Sequence, residues 1–247
     1  MTVTETSTGF DTDELRAIAE NGAAELGPDA SAEQLLRWTA ETFGPDFVIA
    51  ANMQDAVLID VADKAIEDKA TVGGKLKALF LDTGYHFAET LGTRDAVAQV
   101  YDLELLNVTP ENTVAEQDQL LGKDLFSREP GECCRLRKVV PLRGALKPYR
   151  AWVTGIRRVE APTRANAPLI SFDDAFGIVK INPLAAWSDE QFQEYIDTHG
   201  VLVNPLVDEG YPSIGCAPCT VKPAAGADPR SGRWAGSAKT ECGLHAS

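Results

Sequence analysis

Asp46-Phe47-Val48-Ile49-Ala50-Ala51 is a short apolar run with turn signals on both sides, and it reads as a buried β-strand. Asn52-Met53-Gln54 leads from it into a helical pattern over Asp55–Lys69. Lys75–Leu81 repeats the strand pattern and ends in Asp82-Thr83-Gly84; Phe87–Tyr101 reads as a further helix and Leu103–Val108 as a third strand. Strands alternating with helices predict an α/β fold with a doubly wound, mainly parallel sheet. Ligands of such sheets bind beyond the carboxyl ends of the strands, at helix N-termini. Asn52–Asp55 and Asp82–His86 are therefore expected on one rim. The first of these loops lacks the glycines that let backbone amides approach a phosphate. The second combines an acid, a hydroxyl, a permissive glycine and an imidazole.

Upstream, Asp13–Glu25 and Ser31–Phe43 read as two amphipathic helices, the second opened by Ser31 with Gln34 three residues on. They define an N-terminal helical segment, residues 1–45, expected on the outside of the α/β domain. The first thirteen residues are polar and acidic, and no apolar run approaches the length that spans a bilayer. The expectation is no secretory signal, no membrane association and a cytoplasmic, reducing compartment, where cysteines serve metals or redox chemistry rather than structural disulfides. The net charge of −14 argues against nucleic-acid binding, which needs basic residues against phosphates. The charge is uneven, however: 7 of the 23 Lys and Arg precede Gly122 and 16 follow it. A basic cluster inside an acidic chain points to a local anion site or, less specifically, to a solvated basic surface.

The five cysteines are Cys133-Cys134, the Cys216-Ala217-Pro218-Cys219 pair and Cys242 near the C-terminus. Four thiolates suffice for a closed metal or iron–sulfur site. The fifth then has no disulfide partner and is a candidate nucleophile. Adjacent cysteines on a helix project about 100° apart, so Cys133 and Cys134 are expected near a helix start, with helix continuing to Gly144. Lys138, four residues after Cys134, falls on the same face. Arg135, Arg137 and Lys138 offer positive charge to a negatively charged cluster. A thioredoxin-type reading of Cys216–Cys219 needs a helix beginning at the first cysteine, and Thr220-Val221-Lys222-Pro223 disfavours one. Ligand count does not separate zinc from iron–sulfur, although the vicinal pair is atypical for zinc.

The chain resembles the assimilatory sulfonucleotide reductases, and among them the adenylylsulfate (APS) reductases that carry a [4Fe–4S] cluster. The resemblance rests on Leu81-Asp82-Thr83-Gly84-Tyr85-His86-Phe87, Glu132-Cys133-Cys134-Arg135 through Lys138, and Thr154-Gly155-Ile156-Arg157-Arg158. It continues through Gly215-Cys216-Ala217-Pro218-Cys219-Thr220, Gly232-Arg233-Trp234 and Glu241-Cys242-Gly243-Leu244-His245, so that it covers roughly Phe47 to the end. It implies a fold of the adenine-nucleotide α-hydrolase type, a nucleotide-binding domain over residues 46–225 and a flexible catalytic tail over 226–247. It implies a [4Fe–4S] cluster on Cys133, Cys134, Cys216 and Cys219, serving geometry and electrostatics more than electron transfer. It further implies that Cys242 attacks APS to give an S-sulfocysteine and AMP, with His245 beside it, and that thioredoxin or a similar dithiol protein releases sulfite.

Under that resemblance Lys138, Arg157 or Arg158, Arg230 and Arg233 surround the phosphosulfate. Asn52 and Asp55, with Asp82, Thr83 and Gly84, contact the substrate. The Gly226–Lys239 stretch is rich in Gly, Ala and Ser, as a mobile tail should be, and no thioredoxin-like domain follows Cys242, so the reductant is expected from outside. The chain departs from the family at Ala51-Asn52-Met53, where relatives often carry a Ser-x-Ser-Gly type loop. Two other readings stay open. One is a 3′-phosphoadenylylsulfate (PAPS) reductase, whose members commonly lack the four cluster cysteines. The other is a non-catalytic iron–sulfur or zinc protein. A homo-oligomer is compatible with either.

Overall fold

The computed structural model describes residues 10–235, 239 and 243–244 of the 247-residue chain. Cys242 and His245 lie outside the described residues, as do residues 236–238, 240–241 and 246–247 of the stretch expected to be a catalytic tail.

Two helices open the fold, α1 (Thr12–Leu26) and α2 (Ala32–Phe43). The Asp11 carboxylate accepts from the backbone N–H of Asp13 and Glu14, and Ser31 and Gln34 form the expected reciprocal cap. Strand β1 (Phe47–Ala50), helix α3 (Val57–Ala65), strand β2 (Leu76–Leu81), helix α4 (Ala88–Val100) and strand β3 (Leu103–Val108) follow. Helix α3 is shorter than the pattern predicts. The Lys69 ammonium donates to the carbonyls of Asp63 and Ile66, satisfying the helix end with a cation before a single 3-10 turn over Lys69–Val72. Short helices α5 (Val114–Leu121), α6 (Leu125–Arg128), α7 (Pro130–Cys134) and α8 (Val140–Leu146) lead to β4 (Ala151–Thr154). The chain then runs through β5 (Ile170–Asp173), β6 (Ile178–Ile181), α9 (Asp189–His199) and α10 (Pro205–Asp208).

The sheet has six strands in the order β3-β2-β1-β4-β6-β5. All neighbouring pairs are parallel except β5 with β6 at one edge. Each strand alternates its side chains between the faces, as a pleated strand must. On one face Phe47, Ile49, Ala78, Phe80, Ala151, Val153, Val179 and Ile181 join the large core with α1, α2 and α3. On the other, Val48, Leu79, Trp152 and Ile178 pack against Leu142 and Leu146 of α8. Burying each large side chain contributes roughly 1.5–3 kcal/mol. Both faces being covered is what makes these strands nearly all apolar.

The strand order reverses between β1 and β4, which pair from Phe47↔Ala151 to Ala50↔Thr154. Beyond those carboxyl ends a crevice opens, as expected at such a switch point.

Candidate active site

The crevice is a cleft of about 670 Å³. Its floor is the ends of β1, β2 and β4, and Asn52, Asp55, Lys138, Arg157, Arg158, Arg230 and Arg233 all line it. Asp82, Thr83 and Gly84 are not among its lining residues.

The loop after β1 is held open by backbone geometry rather than by glycine. Met53 is fully buried and adopts φ +60°, a left-handed conformation costing about 1–2 kcal/mol for a side-chain-bearing residue. The fully buried Asn204 clamps it: its Nδ2 donates to the Met53 carbonyl (3.1 Å) and its backbone N–H to the Gln54 carbonyl (2.9 Å). The Gln54 carboxamide in turn accepts from the Ile214 N–H (3.0 Å), which brings in the segment leading to Cys216. Asn52 Oδ1 turns back to the Gln54 N–H at 3.0 Å. Asp55 Oδ1 caps the start of α3 through the Val57 N–H at 3.0 Å. Burial pushes the Asp55 carboxyl up to about 6, and Glu160 adds to the effect while Arg157 opposes it.

The far wall follows β4. Arg157 pairs with Asp189 (2.8 Å), and its guanidinium lies 4.3 Å from the centre of the Phe192 ring. The Arg158 Nε–H donates to the Ala167 carbonyl at 2.9 Å. Glu160 ties this loop together, accepting from the Arg157 backbone N–H (3.1 Å) and from Arg164 (2.6 Å). Arg164, one of the cations of the basic second half of the chain, lines the cleft together with Glu160, which does not stand out in the sequence. The family motif ends at Arg158, and only the folded loop returns residue 164 to the same wall.

The turn after β2 serves the other side of the rim. Thr83 is fully buried, and its hydroxyl lies 3.2 Å from Cys216 Sγ. Its carbonyl accepts from the Arg137 Nε–H. Gly84 sits at φ +73°, and a Cβ there would lie 3.0 Å from the Arg137 guanidinium, so a side chain is excluded by conformation and by space. Asp82 accepts from the Gly84 N–H (3.0 Å) and lies 3.5 Å from Arg94. His86 does line the cleft. Its Nε2–H donates to the Leu81 carbonyl at 2.8 Å, its Nδ1 is buried without a hydrogen-bond partner, and burial holds its pKa below the ordinary value.

Cys133, Cys134, Cys216 and Cys219 line one hollow together with Tyr85, Phe126 and Trp234, and no disulfide joins them. The Cys133–Lys138 stretch departs from the helix expected of it. Helix α7 gives way to a π-helical stretch over Arg135–Val139. Pro141, in the first turn of α8, has no N–H to donate back to Arg137, which frees the ladder to widen there.

Arg137 is the buried strut of that stretch, also donating to Gln117 Oε1 (3.0 Å) and to the Asn112 carbonyl (3.3 Å). Arg135 points outward and pairs with Glu132 at 2.7 Å. Lys138 lines both the hollow and the cleft. Cys216–Cys219 spans a single 3-10 turn, Ala217–Cys219, rather than a helix. It is pinned by the Trp234 N–H to the Cys219 carbonyl (2.9 Å) and the Ala217 N–H to the Tyr85 carbonyl (2.7 Å).

The donor set of the hollow is entirely thiol. Burial first, then the neighbouring cysteines, push Cys133 up to about 12 and Cys219 up to about 11. Lys138 and Arg233 oppose the shift at Cys219. Thiols that disfavour one another's ionisation are what a bound cationic centre relieves. Among the described residues, no three His, Cys, Asp or Glu side chains close into the ligand set of a metal ion.

Arg233 reaches Ser213 Oγ and the Ile214 carbonyl, both at 3.2 Å, and lies so close over Gly215 that a Cβ there would come within 2.2 Å of it. Arg233, like Lys138, lines both spaces. Arg230 enters the cleft with Asp228 and Pro229. Among the described residues no helix is long and apolar enough to cross a membrane.

Residues 46–222 match the model of the phosphoadenosine phosphosulfate reductase domain. A Mycolicibacterium smegmatis protein named adenosine 5′-phosphosulfate reductase is 73% identical over 95% of this chain and 96% of its own. A protein of the same name from Mycobacterium tuberculosis is 63% identical over 95% and 96%. Among solved structures, a phosphoadenylyl-sulfate reductase from Candida auris in complex with phosphate superposes with a TM-score of 0.67. It is 26% identical, over 86% of this chain and 98% of that one. The FMN adenylyltransferase of Candida glabrata superposes at 0.55, with 15% identity over 85% and 73%, a likeness of fold alone.

Proposed function

The chain belongs to the phosphoadenosine phosphosulfate reductase family, and from that premise we propose that it reduces adenylylsulfate to sulfite and AMP in sulfate assimilation. It is an oxidoreductase acting on a sulfur group. The observation that carries the reading is the placing of Lys138 and Arg233 on both the cleft and the all-cysteine hollow, with Arg157, Arg158, Arg164 and Arg230 around the same cleft. A small polyanion and a thiolate nucleophile both need such cations.

In the first stage the Cys242 thiolate attacks the sulfur of APS. A sulfur–sulfur bond forms, the bond from that sulfur to the phosphate oxygen breaks, and AMP leaves with the electron pair. In the second stage a thiolate of an external dithiol protein, thioredoxin or a relative, attacks the Cys242 sulfur and expels sulfite. Its second thiol then displaces Cys242 as a thiolate, so that two electrons pass from the dithiol to sulfur. Asn52 and Asp55 hold the nucleotide end, the arginines and Lys138 offset charge on the phosphosulfate and the leaving AMP, and the family resemblance assigns His245 to assist the nucleophile. The rim turn Asp82-Thr83-Gly84 supports the site from the cysteine side.

Cys133, Cys134, Cys216 and Cys219 are the residues that would hold a [4Fe–4S] cluster, and the all-thiol donor set supports that assignment. When bound, a cluster supplies a rigid charged body against the cleft wall. Residues 1–45 form a helical segment, 46–225 the nucleotide-binding domain and 226–247 the catalytic tail, working in the reducing cytoplasm.

The test is mass spectrometry of the purified protein incubated with APS, or separately with PAPS, without reductant. A sulfonate added to the Cys242 peptide with APS, and released as sulfite by thioredoxin, is expected. Preferential adduct formation with PAPS moves the assignment to that substrate. No adduct with either, on cluster-replete protein, favours the non-catalytic reading.

A further inference from the structure

The all-cysteine hollow has two kinds of wall. Lys138, Arg233 and Trp234 also line the cleft, so they form its inner side. Tyr85, Phe126 and Pro130 line the hollow but not the cleft, and all three are half-buried, so they stand between the hollow and solvent. Cys133, Cys134 and Cys216 are buried behind these walls, while Cys219 is partly exposed. The two outer rings, Tyr85 and Phe126, meet edge to face, with their centres 5.5 Å apart and their planes at 73°.

Both rings are held from beneath. The Tyr85 backbone N–H donates to Thr83 Oγ1 at 3.3 Å, and its carbonyl accepts from the Ala217 N–H at 2.7 Å. The buried Arg137 guanidinium lies 5.3 Å from the centre of its ring. Phe126 rides on the short helix α6, which the neighbouring Leu125, only 2% exposed, anchors in the fold. Arg128 latches the turn before that helix, donating to the carbonyls of Leu121 (2.7 Å), Gly122 (3.0 Å) and Lys123 (3.0 Å). Two segments distant in sequence are thus fixed so that their rings close over one space. Neither ring has a part in the chemistry set out above.

We propose that Tyr85 and Phe126 are a shielding pair, the outer wall that keeps water and water-borne reagents from what the four thiols hold. Aromatic rings suit that role, because each gives broad apolar cover with few torsions to order. Excluding water on that side lowers the local dielectric and slows exchange of a bound centre with solvent. The cations Lys138 and Arg233 stay on the side that faces the cleft. For the contents of the hollow, the proposal rests on the cluster reading.

The experiment compares the full-length, cluster-replete wild type with Tyr85→Ala and Phe126→Ala, and with the conservative Tyr85→Phe and Phe126→Leu. Three quantities are read: the rate at which EDTA under argon bleaches the visible chromophore, the affinity for AMP, and the midpoint of urea unfolding. Either alanine is expected to speed bleaching by about tenfold, the scale on which changes around the ligands act on a bound metal. Tyr85→Phe and Phe126→Leu should stay near the wild-type rate, and AMP affinity should be unchanged throughout.

Unchanged bleaching in both alanine variants would overturn the proposal. So would faster bleaching that follows a fall in the urea midpoint and is shared by the conservative variants, which would make the rings props of the fold. If the wild type holds no iron, the cluster reading itself has failed. Alkylation of Cys133 by iodoacetamide then decides for the wall: faster alkylation in the alanine variants upholds it, and equal rates overturn it.

Discussion

Replacing Asp55 by Asn should stabilise the protein at neutral and alkaline pH and leave it unchanged in acid. The Asp55 carboxyl titrates at about 6 in the fold against an ordinary value of 3.8. At about 1.4 kcal/mol per pH unit, holding it ionised in place costs up to about 3 kcal/mol. The sign follows from its cause. Burial raises this carboxyl, so the folded state binds the proton more tightly than the unfolded chain does. Stability is therefore lost as pH rises from about 4 to about 6, and the full penalty stands above that window. Asparagine keeps an acceptor for the Val57 N–H and has no charge to desolvate.

The assay is urea unfolding of wild type and Asp55→Asn at pH 4.5 and pH 8. The variant is expected to be more stable by about 2–3 kcal/mol at pH 8, with most of that gain gone at pH 4.5. Equal stability at pH 8, or a gain that does not shrink in acid, would refute the reasoning. A carboxylate kept at such cost beside a cleft is the mark of a group retained for its ligand, and weaker AMP binding should accompany the gain in stability.

Cys219→Ser should lose the chromophore and most of the bound iron, measured by visible absorption and iron per chain, and stability should fall with them because ligation is coupled to folding. A fully active, iron-free wild type would overturn the cluster assignment. Asn204→Ala leaves the Met53 carbonyl and the Leu206 N–H short of a partner in a buried place, for a loss of about 2–3 kcal/mol in urea. Gly232→Ala would drive a Cβ to 2.0 Å from the Val221 carbonyl oxygen. A backbone atom cannot swing aside, so the bridge to Thr220 should open, with a fall in thermal midpoint and a destabilisation on the order of 3 kcal/mol.

The sheet was legible because its first three strands carry their information locally, in apolar runs closed by turn residues and separated by helix-length patterns. The cysteine pairs were legible because spacing alone limits what four thiols in two pairs can do. The π-helical stretch was not. Its cause is a proline three residues beyond Lys138 acting with an arginine that is buried only once Thr83, Asn112 and Gln117 have come from elsewhere. Helical periodicity gave Arg135, Arg137 and Lys138 the same electrostatic purpose, yet one pairs with Glu132, one braces the fold and one faces the cleft. Glu160 escaped for a similar reason, and Arg164 was legible only as one of a basic set, since only the shape of their loop places them on the wall. Thr83 read as a rim hydroxyl, but the turn around Gly84 sends it inward to Cys216, and sequence carries no sign of that direction.

Lys138 and Arg233 stand in the partition between the cleft and the all-cysteine hollow, lining both. Two ions shared by two binding sites make those sites thermodynamic partners. Whatever factor a change of charge among the thiols imposes on the affinity of an anion in the cleft, the anion returns as the same factor on that change of charge. The midpoint potential of any centre held there would therefore shift when the cleft is filled, even if no electron ever crosses the wall. A titration of that potential with and without AMP would measure the partition itself.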